Sequence, residues 1–206
     1  MTKFDSTVER WRPRVAAAAG SIPVNFLLAW MQRESDGKLS ELSKLGERGL
    51  FQIHPDEISL LGISQATFES LTTDPDAAVA SGIRAATVYG KYAKNLLHAF
   101  GVDGWVDTDY WKLVKLHHNA FSAPQILFGG FASTFASSPF SWWALNWFAH
   151  YAADNAVTTV QANIRALVKR AGIMENAEFA GSFLPQPELV VSTVLGPAIA
   201  GRLFIG

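Results

Sequence analysis

The stretch from Glu34 to Pro55 brings Glu34, Ser35, Ser43, Glu47, Gln52 and His54 onto a short run punctuated by Gly37, Gly46 and Gly49. A carboxylic acid that ends an apolar helix and is followed by a glycine-rich turn can be lowered into a groove with a polar rim. Loss of water there keeps it protonated near neutral pH. Such a carboxyl can give its proton to a leaving oxygen, and Glu34 is the candidate acid. The competing reading is a last-turn glutamate paired with Arg33 or Arg48.

Local signals define the elements that must position this run. Gly20-Ser21 reads as a stop followed by a helix N-cap, with Pro23 in the first turn. Val24, Leu27, Leu28 and Met31 then repeat at helical spacing, so one face of this helix is core, and Glu34 leaves it two turns after Leu27 on that face. Asp36-Gly37 reads as a tight turn. Pro55-Asp56-Glu57 opens another helix, with Asp56 and Glu57 read as partners of its dipole. Asp74 and Pro75 cap a third, along which Val79, Ile83, Ala86 and Gly90 form a small, apolar stripe; Tyr89 and Tyr92 read as packing.

Glu34-Ser35, Ser43 nine residues past the glutamate, and Gly46-Glu47-Arg48-Gly49-Leu50-Phe51-Gln52-Ile53-His54-Pro55 resemble the soluble lytic transglycosylase (SLT) domain. That family's pattern is Glu-Ser, a serine, and Gly-x-x-Gly-Leu-Met-Gln-x-x-Pro. Thr73-Asp74-Pro75 to Gly82 and Leu116-His117-His118-Asn119-Ala120 are similar to two further family segments. Asn119 matches, whereas His118 stands where the family has tyrosine and Phe121 where it has glycine.

The resemblance implies a mainly α, lysozyme-like (SLT or goose-type) domain with little or no β-sheet. It also implies cleavage of the β-1,4 bond between N-acetylmuramic acid and N-acetylglucosamine in peptidoglycan. Glu34 would act as acid and then base, giving a 1,6-anhydromuramyl product. Ser35, Ser43, Phe51, Gln52, His54, His118 and Asn119 would bind substrate, with no cofactor. Goose-type lysozymes, the hydrolytic relatives, make Glu47 the candidate second carboxylate, since an inverting hydrolase needs one roughly 6.5–9.5 Å from the first. A third alternative is a phage or secretion-machine component that keeps the fold with weakened catalysis.

Bulk properties narrow the class. With 206 residues, 49% hydrophobic and 17% charged, the chain can bury a substantial core. A formal charge of −1 without a basic block argues against nucleic acid. The absence of cysteine removes disulfides and thiol chemistry, and no metal is expected, because the adjacent His117 and His118 point about 100° apart on a helix. Residues 121–151 are aromatic throughout and read mainly as a second half of the core, and a helix is expected over 157–171.

The expected organisation is a polar N-terminal arm at 1–20, the catalytic domain at 21–172, and a C-terminal tail at 173–206. The tail's apolar part, Leu189 to Gly206, packs on the domain, docks on a phage-tail or secretion-machine protein, or touches a membrane. Met1 to Gly20 lacks a signal-peptide core, so delivery to the cell wall by a virion, a holin or a secretion system is expected.

Overall fold

The computed structural model describes residues 3–102, 104–132, 140–170 and 172–185. Phe135 and the apolar run from Leu189 to Gly206 lie outside them. Among the described residues the chain is helical, with isolated bridges in place of strands. The helices are α1 (Ser6–Glu9), α2 (Arg12–Ala18), α3 (Val24–Ser35), α4 (Glu57–Leu61), α5 (Gln65–Ser70) and α6 (Pro75–Ala99). They continue with α7 (Asp107–Asn119), α8 (Ala123–Ala132), α9 (Trp142–Asp154), α10 (Thr159–Arg165) and α11 (Ile173–Gly181).

The centre is α3. Besides Leu27, Leu28 and Met31, its Phe26, Ala29 and Trp30 are buried, so the helix is apolar nearly all round, as a helix surrounded by others must be. It ends where Asp36 (φ 51°) and Gly37 (φ 73°) turn left-handed. A Cβ at position 37 would run into the Thr7 carbonyl, so only glycine lets α1 lie across this turn. Trp11 Nε1 and Arg10 Nη2 donate to the Gly37 carbonyl at 2.9 and 3.1 Å.

Within the expected polar arm, residues 8–19 carry a buried face. Val8, Trp11, Val15 and Ala19 recur every three or four residues and are buried in the common core, a helical stripe that the arginines and glutamates between them obscure.

Asp74 caps α6, accepting from the N–H groups of Asp76 (2.9 Å) and Ala77 (3.1 Å), with Pro75 at the first helical position. The buried side of α6 is built from small residues, including Ala78, Ser81, Gly82, Ala85 and Ala86. A Cβ on Gly82 would enter the Phe51 ring, so the glycine seats the 36–55 loop directly on α6. Helix α7 packs against α6 and α11, and α11 also packs on α3. Ile173, Met174, Ala177 and Ala180 form its buried face, so the expected boundary at 172 falls inside the packed body and not at its edge.

The aromatic segment divides. Phe128, Phe140, Trp142 and Phe148 are buried, while Trp143, Trp147 and Tyr151 are exposed on α9. The helix expected over 157–171 is α10, opened by a Thr158–Gln161 capping box, and runs into a π-helical turn at Ala166–Arg170.

Candidate active site

The loop after α3 is held by its own polar side chains. Arg48 forms antiparallel bridges with both Leu42 and Ile53. Ser43 Oγ accepts from the N–H groups of Leu45 and Glu47, each at 3.1 Å. Gln52 takes a left-handed backbone (φ 48°), and its Nε2 donates to the carbonyls of Gly49 (2.8 Å) and Glu41 (3.2 Å). Ser35 Oγ reaches the carbonyl of Leu50 at 2.8 Å, and Phe51 packs edge-on against Trp30 in the core.

Four residues expected at the substrate, Ser35, Ser43, Phe51 and Gln52, thus lie outside the cavity lining. The hydroxyls of Ser35 and Ser43 and the Gln52 amide nitrogen bond backbone groups of the loop, and the Phe51 ring is taken up by the core. The others face a common cavity of about 380 Å³ lined by Glu34, Glu47, His54, His118 and Asn119, together with Glu57, Tyr89, Ala120, Phe121 and Asn176.

Glu34 enters this cavity from the end of α3 with its side chain 21% exposed. Neither arginine of the competing reading is its close partner. Arg33 Nε donates to Asn176 at 2.6 Å, and Arg48 lies over the Phe68 ring. The partner is Lys115 of α7, whose side chain is completely buried; its Nζ donates to Glu34 Oε1 and, at 2.6 Å, to Asn119 Oδ1.

The pair overturns the expected protonation state. Burial pushes the Glu34 carboxyl up, but the charges of Lys115 and His118, with the Lys115 hydrogen bond, outweigh it and hold the carboxyl below its ordinary value. The Lys115 ammonium is lowered by its own burial, against the opposing pull of Glu34. At neutral pH Glu34 is the carboxylate of an ion pair and not a neutral acid.

A second carboxylate stands on the same wall. Glu57 Oε2 accepts from the N–H of His54 at 2.5 Å, as expected of an acid in the first turn of α4. Its Oε1, however, takes the Tyr89 hydroxyl of α6 and lies 3.3 Å from His118 Nδ1. Burial raises the Glu57 carboxyl, yet His118, Tyr89 and the His54 N–H together keep it below its usual value. Glu57 is thus a cavity residue as well as a dipole partner. The same bond gives Tyr89 a polar role beyond packing, and burial together with Glu57 pushes its hydroxyl up.

The two ring nitrogens of His118 thus face two carboxylates, Nδ1 toward Glu57 and Nε2 toward Glu34 Oε1 at 3.8 Å. The imidazole lies against Trp30, with ring centroids 4.5 Å apart.

Sequence reasoning missed Lys115. The available signal was a pair of lysines, Lys112 and Lys115, set among Leu113, Val114 and Leu116 on a helix that buries all five. No group of three His, Asp or Glu among the described residues is spaced to hold a metal ion, and no described helix is long and apolar enough to cross a membrane.

Residues 13–101 match the family described as Transglycosylase SLT domain. Neither a curated protein nor a solved structure matches the chain. The matched span contains Glu34, the loop that closes behind it, Glu57 and Tyr89, whereas Lys115, His118 and Asn119 of the opposite wall lie beyond its end. Over that span the chain is similar to the SLT transglycosylases, a family that acts on peptidoglycan, and its all-helical described body is consistent with a lysozyme-like SLT domain.

Proposed function

We propose that the protein is a lytic transglycosylase that cuts the β-1,4 bond between N-acetylmuramic acid and N-acetylglucosamine, with Glu34 serving first as acid and then as base. The observation that carries this reading is the Glu34 carboxyl at the end of α3, opening into a polar cavity with His118 and Asn119 opposite. Cleavage passes through an oxocarbenium-like transition state, which needs a proton on the leaving oxygen and negative charge near the sugar. The ionised Glu34 suits the second half of the cycle, in which the C6 hydroxyl of the muramyl sugar gives up its proton and closes the 1,6-anhydro ring. The first half requires that Glu34 be protonated on demand. His54 and Asn119 are the remaining candidates to hold the acetamido and hydroxyl groups of the glycan.

Hydrolysis is the second reading, favoured by Glu47 on the wall of the same cavity, where a carboxylate could activate water. A scaffold with weakened catalysis is the third, suggested by histidine in place of the family's tyrosine at position 118. Delivery by a virion, holin or secretion system belongs with this proposal; recovery of the protein only from the cytoplasm, with no particle-bound or secreted pool, would count against it. Digestion of purified peptidoglycan with the protein and with Glu34→Gln separates the readings. Anhydromuramyl ends lost in the variant support transglycosylation, reducing muramic acid ends mean hydrolysis, and equal release by variant and parent rejects Glu34 as the catalytic residue.

A further inference from the structure

A carboxylate held ionised by a buried lysine is a poor proton donor, yet the proposed reaction begins with proton donation. Beside Glu34 stands one group suited to lend it a proton. Histidine side chains exchange protons between about pH 5 and 8. The His118 side chain is 7% exposed, and its Nε2 faces Glu34 Oε1 at 3.8 Å. Its Nδ1 is bound to Glu57, which is in turn bound by the Tyr89 hydroxyl and the His54 N–H. The arrangement is a carboxylate, an imidazole and a second carboxylate in series, with the far carboxylate anchored by two donors.

We propose that His118 is the proton reservoir of Glu34, held in register for the exchange by Glu57 and Tyr89. The inference rests on Glu34 as the acid of the preceding section. In the forward step the Nε2–H bond of the imidazolium breaks, its electron pair stays on nitrogen, and the proton joins the Glu34 carboxylate. Glu34 passes that proton to the glycosidic oxygen as the bond from the muramyl C1 to that oxygen breaks. The C6 hydroxyl then loses its proton to Glu34 as its oxygen bonds to C1, and Glu34 returns the proton to Nε2. The cycle closes with no proton gained or lost and needs no further reagent.

Every element around His118 contributes to its setting. Glu34 faces it from α3, Glu57 from α4, Tyr89 from α6, and Lys115 from one turn back on α7; Glu47, His54 and Asn176 line the shared cavity. Lys115, hydrogen-bonded to Glu34, draws that carboxyl back to the anion after each handover. Because His118 acts through Glu34, it and Glu57 are positioning residues and not the catalytic group.

The test compares parent, Glu34→Gln, His118→Gln, His118→Ala and Glu57→Gln on purified peptidoglycan across pH 5 to 8. For His118→Gln we expect kcat at pH 7 to fall by about 10²-fold, the low end of general acid–base effects, with KM little changed. Its kcat should recover as the pH is lowered, since Glu34 must then take its proton from solution. Imidazole in the buffer should restore part of the activity of His118→Ala. Glu57→Gln should fall by less than His118→Gln and alter the pH profile.

A readout independent of turnover is the tautomer of His118, by ¹H–¹⁵N NMR of the full chain. The neutral ring should carry its proton on Nδ1 in the parent and lose that preference in Glu57→Gln. A parent-like pH profile in His118→Gln, no response to imidazole, or an Nε2–H tautomer in the parent overturns the proposal while leaving a Glu34-dependent enzyme intact. Undiminished activity in Glu34→Gln sinks the underlying functional reading instead.

Discussion

Lys115 and Glu34 form an ion pair across the packing of α7 near α3, in which the lysine side chain is fully buried and the glutamate reaches the cavity. One consequence concerns Lys115→Met. Without the ammonium, burial dominates and the Glu34 carboxyl shifts upward, so the high-pH limb of activity should move to higher pH. Breaking a buried pair typically costs about 3–5 kcal/mol. The loss here should sit at or below the low end, because Glu34 keeps contact with solvent and can neutralise itself by taking a proton. Denaturant unfolding and a pH–activity profile of the variant measure both effects.

His117 makes stability depend on pH. It is fully buried, and burial pushes its imidazole from the ordinary 6.5 down to about 4, opposed by a backbone contact at Phe121. Between those values the unfolded chain binds a proton that the folded chain refuses. This contribution is therefore intact above pH 6.5 and lost as pH falls toward 4. At about 1.4 kcal/mol per pH unit, the loss is about 3 kcal/mol. Glu34 and Glu57, both held below the ordinary 4.5, add a further loss at still lower pH. Unfolding of His117→Leu should show a flatter slope between pH 6.5 and 4 than the parent.

Gly82→Ala should loosen the seat of the 36–55 loop. The added methyl meets the Phe51 ring, which is itself wedged against Trp30. Overpacking of this kind costs about 1–3 kcal/mol. Melting temperature and glycan cleavage should fall together, because Phe51 and Gln52 are consecutive in the loop behind Glu34. A variant with parent-like melting would mean that the ring moves aside freely.

Gln52→Glu distinguishes a loop clasp from a substrate contact. The substitution replaces a donor to the Gly49 and Glu41 carbonyls by an acceptor, and the buried Gly49 carbonyl is left opposed at about 1–3 kcal/mol. A drop in melting temperature of roughly 4–8 °C is expected for about 2 kcal/mol in a chain of this size. An unchanged melting temperature with a raised KM would instead put Gln52 in contact with the glycan.

The helical class, the α6 cap at Asp74 and Pro75, and the turn at Asp36 and Gly37 were legible because each depends on residues a few positions apart. Glu34 was legible for the same reason, lying two turns past Leu27. Its charge state was not. That depends on Lys115, 81 positions away, whose depth is set by the packing of α11 on α7. Glu57 misled because its local role is real: it sits in the first turn of α4 and accepts from the His54 N–H, and nothing nearby announces Tyr89 and His118, 32 and 61 positions further on. Ser43 and Gln52 have the spacing of substrate contacts, but the same spacing serves a loop that satisfies its own backbone.

Trp30 lies against both His118 and Lys115, the two basic side chains that face Glu34. Its ring is 4.5 Å from the His118 imidazole and 4.8 Å from Lys115 Nζ. An imidazolium quenches indole emission on contact where a neutral imidazole does so weakly. With the other six tryptophans replaced, Trp30 becomes an optical reporter set against the far wall of the site, readable in the resting protein before any glycan is cut.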